Sequence, residues 1–336
     1  MKAWIVEEQK PIEEKPMKLV EIPTPEPDPG EIRIKVSYCG ICRTDLHIAE
    51  GDIPLHKKPV IPGHEIVGVV DKIGEGVTKF KPGDKAGVTW LYSTCGKCKY
   101  CMRGEENYCP EIKRTGWDVD GGYAEYFIAK EDFAFNLNKM RLRDEDLAPL
   151  MCPGVSGHFA FKLANVKEGG KLGLVGFGPT AYYVLHVAKS MGIDLYVSTR
   201  SEEHKRIARN NGATWVGNIA TERMPEKMDS IIFFPPAGKL VEKALENLDI
   251  SGTLVLAAVS MTPIEIRDYT ANLWGKNIKT LYQVRRDYGR EFLEIANRLN
   301  LTIEKEIVRF EDIQEAMIRM KKGEMRGLVA VAKIWV

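Results

Sequence analysis

The chain has 336 residues, 44% of them hydrophobic and 28% charged, the balance of a globular protein with material for two domains and not of a disordered or fibrous chain. Lys and Arg number 48 against 47 Asp and Glu, for a net charge of +1, and both signs are spread along the sequence. This excludes a polybasic nucleic-acid surface and an acidic tail.

The first 135 or so residues read as β-rich. "MKAWIVEEQKP" has no apolar signal-peptide core, so a cytoplasmic protein is expected. "EIPTPEPDPGE" (21–31) is a proline-stiffened extended connector. "EIRIKVS" then alternates Ile32, Ile34 and Val36 with polar neighbours, the period of a half-buried strand. "IVGVVDKIGEGVTKFKPGD" predicts short strands broken by Gly and Pro turns. Gln occurs only at positions 9, 283 and 314 while Lys and Glu are plentiful, a composition that leans toward a thermophilic source.

Four of the seven cysteines fall in "TCGKCKYCMRGEENYC" (94–109), at Cys95, Cys98, Cys101 and Cys109. Stable disulfides are rare in the cytoplasm, where clustered cysteines bind metal more often. The C-x2-C-x2-C-x7-C spacing lets one loop wrap a tetrahedral zinc. Four thiolates leave no position for water or substrate, so this zinc is expected to be structural; an iron–sulfur cluster is the alternative. The other candidates are dispersed: Cys39 and Cys42 in "YCGICRTDLH", His64 in "IPGHE" and Cys152 in "APLMCPGVSGH". A catalytic zinc needs three protein ligands and an open fourth position, but no local spacing links these residues.

After about residue 144 the rhythm changes to alternating strands and helices. "KLGLVGFG", "DLYVSTR", "SIIFF", "GTLVLAAV" and "IKTLYQV" read as strands. "PTAYYVLHVAKSMG", "SEEHKRIARNNG" (capped by Ser201) and "KLVEKALENL" read as helices. Alternation of this kind implies a doubly wound parallel sheet with helices on both faces. The longest apolar stretch, 172–188, is interrupted by Gly173, Gly176, Gly178, Pro179 and His186, which argues against a membrane span. "LGLVGFGPTA" places Gly176, Gly178 and Ala181 as G-x-G-x-x-A between a strand and a helix, the cradle for a dinucleotide pyrophosphate. An NAD site is expected to end its next strand in Asp or Glu. Here Thr199 stands at that point and Arg200 follows, which predicts a preference for NADP(H) over NAD(H). The last 50 residues are mixed in pattern.

Together "GICRTDLH", "PGHE", the four-cysteine loop, the Cys152 region and "GFGPTA" resemble, in order and over nearly the whole chain, the zinc-dependent medium-chain alcohol dehydrogenases. The resemblance implies an α/β protein: a GroES-like β-rich catalytic domain, 1–152 completed by 287–336, with a Rossmann domain, 153–286, inserted. It implies two zinc ions per chain, one held for catalysis by Cys42, His64 and Cys152 and one structural. By the same resemblance Thr44 takes the substrate hydroxyl proton and His47 passes it toward solvent. Asp45 orients His64, and Glu65 lies beside the metal and exchanges with a ligand. Arg43 contacts the pyrophosphate and Ser156 packs near the nicotinamide. Cys39 is left over and expected to be buried packing.

Three positions depart from the pattern: Ala181 for the third glycine, Thr199 for the acid, and Leu328 where many relatives carry a phosphate-binding Arg. Arg326 lies two residues before Leu328. Trp90 and Trp117 are candidates for a substrate wall or for core, and His158 for lining the site. His56 and His204 read as surface residues, His186 as helix packing. The expected partners are small alcohols and their aldehydes or ketones, and a second copy of the chain, as dimer or tetramer. The alternatives are a polyol or amino-alcohol dehydrogenase, which commonly has Glu where Cys152 stands, and a non-catalytic zinc and nucleotide-binding module.

Overall fold

Apolar side chains at alternate positions turn one face of 31–37 inward. In the computed structural model, which describes residues 1–335, this segment is the first part of an eleven-residue strand, Glu31–Ile41. Ile32, Ile34 and Val36 are fully buried. The strand pairs antiparallel with Glu65–Ile73, Gly40 opposite Glu65, and two register shifts bend the pair. The expectation of several short strands from residue 66 is corrected here, since Glu65–Ile73 is continuous. Gly68 is not a turn residue. A Cβ there would lie 2.1 Å from the Lys35 carbonyl oxygen, so it marks the closest approach of two backbones.

The opposite edge of Glu31–Ile41 is shared between two strands. Tyr126–Lys130 pairs with its first half and Val329–Lys333 with its second, Ala330 opposite Ile41. Lys305–Arg309 lies parallel to Val329–Lys333, and Lys85–Val88 and Ala134–Asn136 extend the sheet beyond Glu65–Ile73. Helices Arg286–Leu299 and Ile313–Lys322 occupy the segment whose sequence pattern looked mixed. These elements form one compact unit, Met1–Cys152 with Gln283–Val336; the other is Pro153–Tyr282.

The second unit holds six parallel strands in the order Trp215–Gly217, Asp194–Ser198, Lys171–Val175, Met228–Phe233, Leu248–Leu256, Asn277–Thr280. Chain order reverses beside Lys171–Val175, the switch point at which doubly wound sheets bind their ligands. Its helices include Pro179–Lys189, Glu202–Asn210 and Val241–Asn247. Ser201 caps the second of these, accepting from the His204 amide at 3.3 Å. The strand expected over 278–284 ends at Thr280, opposite the last residue of its partner, Leu256. No helix among the described residues is long and apolar enough to cross a membrane.

Candidate active site and metal centres

Strand pairing brings together residues that no sequence spacing connects. Cys42 follows one strand and His64 precedes the other, so the Gly40–Glu65 register puts both at the same end of the pair. Cys152 follows the turn Ala148–Met151, which packs on the same sheet. Gly87 makes room for it, since a Cβ there would sit 2.7 Å from the Met151 sulfur. One ligand atom each from Cys42, His64, Glu65 and Cys152 lies within 4.8 Å of the others. Gly40 is equally specific: a Cβ there would be 1.8 Å from the Glu65 carboxylate. Cys39 is fully buried and outside this cluster.

Asp45 is buried in the first turn of helix Arg43–Glu50 and accepts four hydrogen bonds. His64 Nδ1 and the Gly63 amide reach one oxygen at 3.0 and 3.1 Å. The Cys42 amide and the Tyr123 hydroxyl reach the other at 3.1 and 2.8 Å. The carboxylate thereby fixes the His64 ring through Nδ1 and leaves Nε2 as the nitrogen that can serve a metal.

Hydrogen bonding from Cys152, together with His64, holds the Cys42 thiol well below its usual range against the effect of burial. The same bond, with burial, pushes Cys152 well up. Burial and then the Cys42 charge push Glu65 well up. Burial draws His64 down, but Asp45 and Cys42 outweigh it and the net shift is upward. The cluster holds more acids than it can ionise alone, as expected of ligands that share a dication. One imidazole and two sulfurs are a donor set suited to zinc.

Thr44 and His47, three positions apart, share a face of helix Arg43–Glu50. The Thr44 hydroxyl makes no hydrogen bond among the described residues. His47 Nδ1 lies 2.6 Å from Asp52, a partner that sequence reasoning missed. Arg43 is exposed. Trp90 stands edge-on to His64 with centroids 4.8 Å apart, and Trp117 stacks on Trp90 at 5.8 Å. His56, read as a surface residue, is exposed yet stacks on Trp117 at 4.0 Å and meets Asp118 at 2.6 Å.

In the four-cysteine loop all four sulfurs lie within 4.8 Å of one another. Cys98 and Cys101 are 3.5 Å apart, Cys95 and Cys109 3.6 Å. A tetrahedron of zinc–sulfur bonds has an edge of about 3.8 Å. Two amide-to-sulfur bonds of 3.4 Å, Cys98 to Cys95 and Cys95 to Cys109, preorganise the loop. Glu106 inside it receives Arg286 at 2.8 Å through Nε and at 2.9 Å through the backbone amide. That tie to helix Arg286–Leu299 had no signal in the sequence.

In the second unit, Gly176 has φ +83° and Gly178 precedes helix Pro179–Lys189. A Cβ on Gly178 would meet nothing within 4 Å, so the backbone there is open to an approaching group. Ala181 is buried in the first turn. Thr199 is buried after strand Asp194–Ser198, and Arg200 is exposed with no ion pair among the described residues. Ser156 lies half-buried in the first turn of Pro153–Ala164, and His158 is buried in that helix beside Phe161. His186 packs against Tyr182, and His204 is half-buried. The Arg326 side chain is exposed, and its amide bonds to Glu306 at 3.1 Å.

Residues 28–139 match the alcohol dehydrogenase GroES-like domain. The chain is 39% identical over 309 residues to a probable alcohol dehydrogenase, AdhA, of Mycobacterium tuberculosis (strain CDC 1551 / Oshkosh), covering 90% of this chain and 89% of that protein. It is 33% identical over 344 residues to an alcohol dehydrogenase of Geobacillus stearothermophilus, 98% of each being covered. The structure superposes on a cinnamyl alcohol dehydrogenase (SbCAD4) of Sorghum bicolor with a TM-score of 0.88 at 27% identity, over 99% of this chain and 97% of that one. With these relatives and this pair of folds, the chain belongs to the zinc-type medium-chain alcohol dehydrogenases and is an NAD(P)-dependent oxidoreductase.

Proposed function

We propose that this protein is a zinc-dependent alcohol dehydrogenase interconverting primary or secondary alcohols with aldehydes or ketones, with NADP(H) as preferred cofactor and two zinc ions per chain. The observation that carries the reading is the convergence of Cys42, His64 and Cys152 beside a helix that presents Thr44 and His47 on one face. When bound, zinc polarises a substrate oxygen and the nicotinamide exchanges a hydride with the carbon that bears it.

The residues supply the rest. Cys42, His64 and Cys152 hold the catalytic ion, Asp45 fixes the His64 ring, and Glu65 stands by to exchange with a ligand. Thr44 takes the hydroxyl proton and His47, steadied by Asp52, delivers it to solvent. Trp90 and Trp117 exclude water from the His64 side and favour flat apolar substituents. The Gly176–Ala181 turn contacts the pyrophosphate, and Ser156 packs near the nicotinamide. The close sulfur cage of Cys95, Cys98, Cys101 and Cys109 favours a single structural ion over a cluster, whose own sulfides spread its ligands apart.

Assays with ethanol, propanol, benzyl alcohol and their aldehydes, each with both cofactors, test the reading. Turnover is expected, with kcat/KM at least about tenfold higher for NADP(H), the worth of one charge-assisted contact. Arg200→Ala should erase most of that preference. A wild type that favours NAD(H) refutes the cofactor assignment, and one that turns over none of these substrates refutes the activity.

We also assign the unpaired edge of the six-stranded sheet to contact with a second copy of the chain. Every residue of Asn277–Thr280 is exposed, and Ile250, Tyr269 and Trp274 nearby are 74%, 61% and 66% exposed. Light scattering after gel filtration should give a multimeric mass for wild type, and the double variant Trp274→Glu, Ile278→Lys should lower it. A monomeric wild type overturns the assignment.

A further inference from the structure

We propose that Tyr123 is a positioning residue of the catalytic metal site: acting through Asp45, its hydroxyl fixes the His64 ring and the Cys42 turn and so sets how tightly the ion is held. The inference rests on the reading that Cys42, His64 and Cys152 bind zinc.

Tyr123 lies far along the chain from Cys42, His64 and Cys152, yet the local structure is built around its ring. It is fully buried. Residues 121–123 bind along 61–63 by three amide–carbonyl bonds: Gly121 to Ile61 at 2.7 Å, Gly122 to Gly63 at 2.8 Å, Tyr123 to Pro62 at 3.0 Å. The segment leading into His64 is thereby clamped to the tyrosine backbone. Gly63, with φ +96°, must lack a side chain, because a Cβ would lie 2.7 Å from the Tyr123 ring. Gly121 must as well, because its Cβ would lie 2.2 Å from the Gly63 oxygen.

Filling space would need only a phenylalanine. The hydroxyl adds the one donor to Asp45 that comes from outside the ligand-bearing segments. Among the described residues, the Asp45 oxygen it reaches otherwise holds only the Cys42 amide. Without the hydroxyl that oxygen is a buried, half-satisfied acceptor, free to swing and carry both ligand segments with it.

Changes in the partners of a metal ligand typically cost 10–100-fold in metal affinity, and Tyr123 stands one bond further out, so about tenfold is expected. The test is release of zinc from the full-length, two-zinc protein to 4-(2-pyridylazo)resorcinol under a competing chelator, with the four-cysteine ion as internal reference. Tyr123→Phe should release one ion about tenfold faster and the other at the wild-type rate, which also reports that the fold is kept. Tyr123→4-aminophenylalanine, whose neutral amine donates in the same place, should restore slow release. Asp45→Asn should loosen the same ion, and adding Tyr123→Phe to it should change nothing further.

Wild-type release from Tyr123→Phe overturns the inference, as does an undiminished effect in the Asp45→Asn background, because the action would then not pass through Asp45. A wild type with no ion at Cys42, His64 and Cys152 overturns the metal reading, and the inference with it. Two ions in wild type with an indifferent Tyr123→Phe overturns the inference alone.

Discussion

Cys42→Ala is expected to lower zinc from two ions per chain to one and to reduce kcat/KM on the order of 10^4-fold, the several kcal/mol by which a metal Lewis acid lowers such a barrier. Cys42 follows the strand Glu31–Ile41, whose pairing on both edges is made by the backbone and not by the thiol. Thermal stability should therefore change little. Plasma emission counting, with steady-state rates on benzyl alcohol, reads both quantities. Two retained ions with wild-type turnover would remove Cys42 from the ligand set, and the proposed chemistry with it.

Cys98→Ala should do the reverse. The second ion is lost, but the reacting groups are elsewhere, so kcat/KM at 25 °C should stay within about threefold. The loop 94–109 has few apolar side chains of its own inside the core, and metal binding in such a loop is folding free energy. Isolated zinc modules gain on the order of 10 kcal/mol from their metal. Here Arg286 and Glu106 still tie the loop to the helix behind it, so the loss should be smaller, about 4 kcal/mol, or a Tm about 10 °C lower. Calorimetry decides the point. A variant as stable as wild type would make the four-cysteine ion dispensable, and an inactive but stable one would move it into the chemistry.

Elements set by local physics were readable in the sequence. Alternation at Ile32, Ile34 and Val36 announced the strand, and the glycines of "GFGPTA" announced the turn into helix Pro179–Lys189. The four-cysteine loop was readable because one short segment carries every ligand. Cys42, His64 and Cys152 were not, because only a register deep in the chain, Gly40 opposite Glu65, makes them neighbours. Family resemblance could group them but gave no physical reason. Tyr123 was hidden more thoroughly, since a buried hydroxyl leaves no periodic mark. The charged pair Glu106 and Arg286 was silent for the same reason. Helix Arg286–Leu299 was overlooked although it carries a signal, with Gly289, Phe292, Leu293 and Ala296 buried at helical spacing.

The partner strand beside Ile41 is Val329–Lys333. Domains tend to close in the order they leave the ribosome. The unit Pro153–Tyr282, one uninterrupted stretch, can fold as it emerges, whereas the sheet behind Cys42 keeps an open edge until Val329–Lys333 has been made. On the proposed zinc reading, a nascent polypeptide offers the ion the cysteine cage early, as a purely local trap, and the three-ligand pocket only once Val329–Lys333 has closed that edge. On that reading topology orders the loading of two ions: the four-cysteine loop first, Cys42, His64 and Cys152 last.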